Sequence, residues 1–341
     1  HALREQQPRT LSNAYCVSGI CEISSKSKRD IPINYEQIVI SSKLLNMGSD
    51  EIHTIVNSKA LRGNALKCLR GTAILTLVYG LSYYLATLFD CVPPPAIEFC
   101  NTNTDVVTEG DKCPTSRPDL FAFQMGSGVA IFYVSFLSVV AWYEFKQSGR
   151  LPGDTLEERI FGYHNYAQKI AIGNFIFQFW DFFISLFIRE HCNTIMLCHH
   201  LFTAMTAWLC FQNQILLYYA VFYLGLSEIS SIFLVFVDLG KYFPPPDGSW
   251  YHVVVEISKV GFAVMFIWLR VIMWFIVSFK MYLDIFEILK KDDNSEGSFS
   301  RLRPGKQFIL YYYLVGAVAF GLLQLYWTST IANEIHVFFS Y

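Results

Sequence analysis

Charged residues are scarce in this sequence. Asp, Glu, Lys and Arg make up only 16% of its 341 residues, whereas soluble domains carry about 25%. The formal net charge is −2, so no excess of positive charge favours nucleic acid as a partner. With 53% hydrophobic residues, the chain is not expected to be a soluble enzyme.

Regular cysteine spacing is lacking as well. No cysteine pair is followed by a second pair at the spacing of zinc ligands, so no metal site is predicted. Three of the nine cysteines, Cys91, Cys100 and Cys113, fall in one segment, residues 90–119. One disulfide could form there if the segment faces an oxidising lumen.

Long apolar runs are abundant. Seven of them lie near residues 69–89, 120–143, 168–188, 195–211, 214–237, 254–283 and 308–333. Most reach the roughly 20 residues that a helix needs to cross a bilayer; the fourth is the weakest, with a re-entrant or buried helix as its alternative. The predicted fold is therefore all-α, a polytopic integral membrane protein with about seven transmembrane helices, residues 67–341. Residues 1–66 are predicted to form a polar, partly disordered arm.

The flanks of the runs carry a strong bias of positive charge. Fourteen Lys and Arg residues flank one side: Lys59, Arg62, Lys67, Arg70, Lys146, Arg150, Arg159, Lys169, Lys280, Lys290, Lys291, Arg301, Arg303 and Lys306. Four flank the other: Lys112, Arg117, Arg189 and Lys241. Because cytosolic flanks are enriched in Lys and Arg, the arm is predicted to be cytosolic, and residues 90–119 and the C-terminus lumenal.

A few polar and ionisable residues inside the runs are candidate functional groups, because charge is costly within a bilayer. As catalytic candidates, His199 and His200 could serve as acid, base or acyl acceptor, with Glu228 as the orienting carboxylate. Candidates for contact with a substrate or lipid are Asp181, Thr203, Ser227, Ser231 and Arg270. Arg270 needs a counter-charge, from Glu228, Asp238 or a lipid or CoA phosphate. The structural alternative is that these groups only hydrogen-bond helices together.

Four stretches in order resemble the TLC domain, the family that includes TRAM and Lag1. They are Cys198-His199-His200-Leu-Phe-Thr203, Leu226-Ser227-Glu228-Ile-Ser230-Ser231, the Arg-bearing aromatic segment Phe262 to Trp274, and Leu325-Tyr-Trp327-Thr-Ser-Thr-Ile331. The resemblance covers roughly residues 68–337 and implies a six-helix core after one leading helix. In the ceramide synthases of this family, the histidine pair is implicated in accepting an acyl chain from acyl-CoA.

One departure from the synthases bears on function. Where they carry His-Asp-x-x-Asp, this chain has Ser227, Glu228 and Ser231. The chain is therefore more similar to the TLC-domain-containing branch, whose members influence membrane lipid composition. Fatty-acid elongases are disfavoured because Met196 occupies the first position of their His-x-x-His-His box. G-protein-coupled receptors are excluded because Asp-Arg-Tyr and Asn-Pro-x-x-Tyr are missing.

Three functions are expected from these patterns. The leading one is a protein that binds acyl chains or lipids and influences membrane lipid composition. The alternatives are an acyl-CoA-dependent acyltransferase that uses the histidine pair, and a non-catalytic factor for translocation or trafficking of membrane proteins. No cofactor is expected beyond acyl-CoA as a substrate; the expected partners are membrane lipids, and a homo-oligomer is left open. The expected location is the endoplasmic reticulum or another endomembrane, with the plasma membrane as alternative.

Overall fold

The computed structural model describes residues 49–88, 117–147, 155–293 and 304–340. Within these ranges the backbone is helical with short connections and contains no strand, which confirms the all-α prediction. The chain divides into two units, 1–58 and 59–341, and the helices of membrane-spanning length belong to the second. The three cysteines of residues 90–119 and most of the predicted arm lie outside the described residues.

The helices are numbered along the chain. They are α1 Ser49–Leu88, α2 Pro118–Gln147, α3 Leu156–Phe161, α4 Asn165–Ser185, α5 Thr194–Asn213, α6 Leu217–Tyr223, α7 Ile229–Tyr242, α8 Trp250–Met265, α9 Trp274–Asp293 and α10 Pro304–Ser340. A 3₁₀ turn, Leu226–Glu228, joins α6 to α7, and a π-helical segment, Phe266–Met273, joins α8 to α9. α1 begins before residue 66 and so continues across the predicted boundary of the membrane domain.

Among the described residues, six helical segments are long and apolar enough to cross a membrane. They are Leu61–Leu88, Pro118–Phe145, Thr194–Asn213, Leu217–Tyr242, Trp250–Lys291 and Lys306–Asn333. The predicted fourth run is among them, whereas α4, the third, is not. α4 still has 21 residues, a length of about 31 Å. It is less apolar because it contains Asn174, Gln178 and Asp181, all three of which are buried.

α4 is the central helix of the bundle and packs against α2, α5 and α6. Ala171 and Asn174 are fully buried on it, and the Asn174 amide donates to the Leu224 carbonyl at 3.1 Å. A buried helix can carry polar groups because neighbouring helices, rather than lipid, surround it. The part of α1 from Leu61 to Leu88, by contrast, leaves most of its side chains exposed, as expected for a lipid-facing helix.

Two interruptions of regular helix shape the interior. At the first, Gly225 precedes the 3₁₀ turn, and a Cβ there would lie 2.5 Å from the Ser138 Cβ, so glycine is needed for close approach of α2. The second is the π-helical segment. Such segments are rare in proteins and are frequently found at functional sites, and this one carries Arg270.

Each end of the bundle is tied by a guanidinium. At one, called the Arg117 end, Arg117 binds Glu190 in bidentate fashion at 2.6 and 2.9 Å and also binds Asp119. At the opposite, the Arg159 end, Arg159 binds both oxygens of Asp284 at 2.5 and 2.6 Å, and the hydroxyl of Tyr219 donates to the same carboxylate. Planar two-point contacts of this kind fix geometry as well as charge.

Candidate functional site

A cavity of about 280 Å³ lies inside the bundle toward the Arg117 end. Its walls combine polar side chains with apolar ones. The polar members are Gln124, Ser127, Gln178, Asp181, His191, His199, His200, Glu228, Ser231, Asp238, Arg270 and Thr330. The apolar ones are Phe123, Ile131, Phe177, Met196, Leu234, Val235, Phe262, Phe266, Trp327 and Ile331. We call it the larger cavity.

His200 is held on both sides of its ring by α4. Its Nε2 lies 3.2 Å from Asp181 Oδ1, and its Nδ1 lies 2.7 Å from Gln178 Oε1. Ser127 and Ser185 donate to the same carboxylate, at 3.5 and 2.9 Å. The Nδ1 contact is a hydrogen bond in two arrangements: Nδ1–H donates to Gln178 Oε1, or the Gln178 amide turns its NH₂ toward Nδ1. In both cases the ring orientation of His200 is fixed.

His199 has a different environment. Its ring packs edge-on against Phe320 and Trp327 of α10, with centroids 5.6 and 5.2 Å away. Its Nδ1 is buried and has no hydrogen-bond partner among the described residues. The divergence arises because adjacent helical residues point about 100° apart, so His200 faces α4 while His199 faces α10.

Arg270 is held by the segment around the 3₁₀ turn. Its Nη2 donates to Glu228 Oε2 at 3.1 Å and to Ser231 Oγ at 2.8 Å, and its Nε donates to Ser230 Oγ at 2.9 Å. Ser231 Oγ itself donates to Glu228 Oε2 at 2.8 Å. Of the counter-charges that the sequence suggests for Arg270, the structure places Glu228 in contact. Burying a guanidinium requires such a set of acceptors.

A second, smaller cavity of about 50 Å³ lies toward the Arg159 end and shares His199, Glu228 and Arg270 with the larger one. Thr203 and Ser227 line it. Their hydroxyls donate to backbone carbonyls one turn earlier, Thr203 to His199 and Ser227 to Tyr223, each at 2.8 Å. The rest of its wall is largely aromatic and aliphatic, contributed by Tyr219, Ala220, Leu224, Trp274, Met281, Tyr312, Tyr313 and Phe320.

His191 contributes to the wall of the larger cavity from the connection between α4 and α5. Its Nε2 lies 3.3 Å from the Tyr242 hydroxyl, and its ring packs against Phe123 at 4.4 Å between centroids. Burial lowers the pKa of the His191 imidazole below its ordinary value, because an apolar setting disfavours the charged form. At neutral pH this histidine is therefore uncharged.

All eight candidate residues from the sequence line at least one of the two cavities. The structure divides them into Asp181 with His200, and Glu228 with Ser231 and Arg270. The carboxylate in contact with the histidine pair is thus Asp181, while the oxygen of Glu228 that forms hydrogen bonds contacts Arg270 and Ser231. Sequence reasoning missed Gln178, although it stands one helical turn before Asp181 and so shares its face.

No group of three His, Cys, Asp or Glu side chains that could hold a metal ion occurs within the described part of the chain. Asp181, Glu228 and His200 are instead engaged by Arg, Ser, Gln and one another. The arrangement offers one oriented imidazole, one imidazole without a hydrogen-bond partner at Nδ1, and a neutralised Arg–Glu pair. These groups suit recognition of a polar group that carries an apolar chain.

Comparison with protein families gives a match to the TLC domain over residues 125–333. The chain belongs to the TLC-domain family. The matched region begins in α2 and ends in α10, and it leaves α1 outside. It contains the residues that line the smaller cavity and all those that line the larger one except Phe123 and Gln124. The chain is thus a multi-pass membrane protein of a lipid-related family. Comparison with functionally curated proteins finds no match.

Proposed function

We propose that this TLC-domain protein binds an acyl chain or lipid in its larger cavity and thereby influences membrane lipid composition. The observation that carries the proposal is a cavity of about 280 Å³, within a bundle of membrane-spanning length, whose wall is polar and apolar. Ligand sites are typically apolar with a few polar groups that fix orientation.

The size of the cavity sets what part of a lipid it holds. A cavity of about 150 Å³ is enough for benzene, so this one accommodates a polar group with a short stretch of chain. Further methylenes have room beyond His199, where the smaller cavity continues toward the Arg159 end. On this proposal Asp181, His200 and Arg270 face the polar part of the ligand.

Mass spectrometry of the protein released from nanodiscs tests this proposal. The wild type is expected to carry stoichiometric lipid, and Leu234→Trp, which fills the larger cavity, is expected to lose it. Leu201→Trp is the matched control, because Leu201 lies on the bundle exterior at 50% exposure. Lipid that is missing from the folded wild type, or equally retained by both variants, would overturn the proposal.

A second candidate function is acyl transfer, and the unpartnered Nδ1 of His199 favours it. An imidazole nitrogen in this state can attack the thioester carbon of acyl-CoA, and CoA leaves as the thiolate. An acceptor hydroxyl or amine would then take the acyl group from the imidazole and release its proton. Asp181 and Gln178 would keep the neighbouring His200 in place as acid or base.

The assay for this second function is CoA release in nanodiscs from labelled long-chain acyl-CoA, with a lysophospholipid or a sphingoid base as acceptor. His199→Phe keeps an aromatic ring against Phe320 and Trp327 but removes the nitrogen. Product from the wild type that His199→Phe abolishes would establish acyl transfer. If neither the wild type nor His199→Phe makes product and the wild type still carries lipid, lipid binding is supported without acyl transfer. If neither product nor lipid is found, a translocation or trafficking role becomes the better explanation.

We propose further that the chain belongs to the branch that influences lipid homeostasis, and that it resides in an endomembrane such as the endoplasmic reticulum. The support is that Ser227 and Ser231 stand in place of the synthase His and Asp, and that Glu228 is bound to Arg270. Colocalisation of the tagged chain with an endoplasmic reticulum marker tests the location. A signal confined to the plasma membrane would contradict it.

A further inference from the structure

The smaller cavity contains polar atoms that the rest of the fold leaves without partners. Among the described side chains, buried polar atoms lacking a hydrogen bond include His199 Nδ1, Trp274 Nε1 and Gln324 Oε1. The side chains of all three line this one cavity. Trp274 is 5% exposed and Gln324 is 1% exposed, so the protein itself shields both from outside solvent. Burial of such atoms is costly unless a partner satisfies them.

These atoms lie along one face of α10. Phe320 touches both rings, with its centroid 5.6 Å from that of His199 and 6.0 Å from that of Trp274. Trp274 Nε1 lies 3.9 Å from the position that a Cβ would occupy at Gly321. Gln324 follows Gly321 by three residues and therefore shares its face of the helix.

The hydrogen-bonding character of the three atoms selects a class of ligand. The indole N–H of Trp274 is a donor only, the Gln324 oxygen is an acceptor, and the neutral imidazole nitrogen can be either. A hydroxyl can accept from the indole and donate to the amide oxygen. With the Gln324 amide oriented as in the structure, an ester carbonyl would leave Gln324 Oε1 unsatisfied, and an ammonium group would meet the indole N–H with a like-signed hydrogen.

The charge and the volume of the smaller cavity also favour a hydroxyl group as the ligand. Glu228 and Arg270, which also line the smaller cavity, neutralise each other at 3.1 Å, so the cavity offers no net charge for an ionic group. Its volume of about 50 Å³ corresponds to roughly four water-sized groups, too little for a phosphate or sugar headgroup. Most of the remaining wall is aliphatic and aromatic, and the hydroxyls of Thr203 and Ser227 in it already donate to backbone carbonyls.

We infer that Trp274, Gln324 and His199 form a binding subsite for an aliphatic hydroxyl group in the smaller cavity. The inference rests on the proposed lipid-binding function and adds the ligand class: a chain that carries a neutral hydroxyl, either a fatty alcohol or a hydroxylated acyl ester. Trp274 Nε1 donates to the hydroxyl oxygen, and the hydroxyl donates to Gln324 Oε1 or His199 Nδ1.

Photocrosslinking in nanodiscs tests the subsite with a diazirine-bearing long-chain alcohol as the probe. Dodecanol, methyl omega-hydroxydodecanoate, dodecane and dodecylamine serve as competitors at equal mole fraction in the bilayer. One or both hydroxyl compounds are expected to compete about tenfold better than dodecane, since two hydrogen bonds favour them. The amine is expected to compete no better than the alkane. Which hydroxyl compound competes identifies the source of the hydroxyl.

Trp274→Phe and Gln324→Met each remove one hydrogen-bonding atom and preserve bulk. Each is expected to lower the preference for the alcohol over dodecane about fivefold. Trp180→Phe and Gln212→Met are the matched controls. Trp180 Nε1 and Gln212 Oε1 are also buried without a hydrogen-bond partner in the described part of the chain, but these residues line neither cavity. The controls are expected to keep the preference.

The outcomes separate the two proposals. If the probe crosslinks and dodecane competes as well as the alcohols, the chain-binding function stands and the hydroxyl subsite is overturned. If the probe does not crosslink to the folded protein, the lipid-binding function itself fails. The wild-type competitor series decides the subsite even if a variant does not fold, and a preference lost equally in controls and test variants also overturns it.

Discussion

The ends and the middle of the bundle use similar residues in different ways. At the ends, Arg117 and Arg159 each meet carboxylates through two-point contacts. In the middle, Arg270 is shared among two serines and one carboxylate oxygen, and neighbouring polar atoms have no hydrogen-bond partner among the residues that the structure describes. The ends therefore act as structural clamps, whereas the middle retains hydrogen-bonding capacity for a ligand.

The largest effect is expected from opening a clamp. Asp284→Asn removes the buried carboxylate that binds the half-buried Arg159 guanidinium, which should lower the free energy of unfolding by about 3 kcal/mol. Thermal unfolding in detergent measures the change. The control is Glu157→Gln, because the Glu157–Lys291 pair is more than half exposed on both sides and 3.8 Å long, and should cost less than about 1 kcal/mol. Equal losses in both variants would contradict the clamp.

An effect of intermediate size is expected from a substitution in the middle of the bundle, and it should change function more than folding. Asp181→Asn weakens the contact that orients His200 and should reduce lipid occupancy or CoA release about tenfold. The matched control is Ser185→Ala, since Ser185 donates to Asp181 without touching the imidazole, and it should retain most activity. Binding and turnover in nanodiscs measure both. Full activity of Asp181→Asn would mean that His200 needs no orienting carboxylate.

The smallest effect on stability is expected from protonation of His164, which lies near the Arg159 end. His164 caps α4, with Nδ1 accepting the Ala167 N–H at 3.2 Å, so the cap requires an unprotonated Nδ1. Burial lowers the pKa of His164 below its ordinary value of 6.5, against a weaker opposing effect of Glu144. As the pH falls through 6.5, the unfolded chain binds the proton first, so stability present above that pH is lost on acidification.

His164→Asn keeps a side chain that caps well but cannot titrate in this range. Between neutral pH and about pH 5, the wild type should therefore lose up to about 1 kcal/mol more stability than the variant. Unfolding curves across this pH series measure the difference. Parallel pH dependence of the two proteins would show that another group accounts for the loss.

The sequence predicts the helices well but not which way their side chains point. The apolar runs locate the spans, and a carboxylate within reach of Arg270 could be anticipated from the cost of an unpaired charge in lipid. The contact between His200 and Asp181 could not be anticipated, because it depends on the rotation of two packed helices. The run expected to be weakest, the fourth, is long and apolar enough to cross a membrane. α4 is the more polar helix, since a helix surrounded by protein tolerates amides and carboxylates.

The cavities depend on features that periodicity cannot show. Whether Trp274 or Gln324 forms a hydrogen bond depends on how α5, α9 and α10 pack together. It cannot be read from the residues next to either one in the sequence. The 3₁₀ turn has a local signal in Gly225, yet glycine alone does not distinguish a close approach to α2 from a flexible link.

The π-helical segment Phe266–Met273 accommodates one residue more than an α-helix would over the same rotation, because its hydrogen bonds join residues five apart rather than four. In an uninterrupted α-helix, that added residue would turn α9 by about 100°. The wider turn absorbs the added residue, so Trp274 and Met281 still face the interior. Deleting Val271 is therefore expected to restore α geometry beside Arg270 and to leave α9 facing the same way.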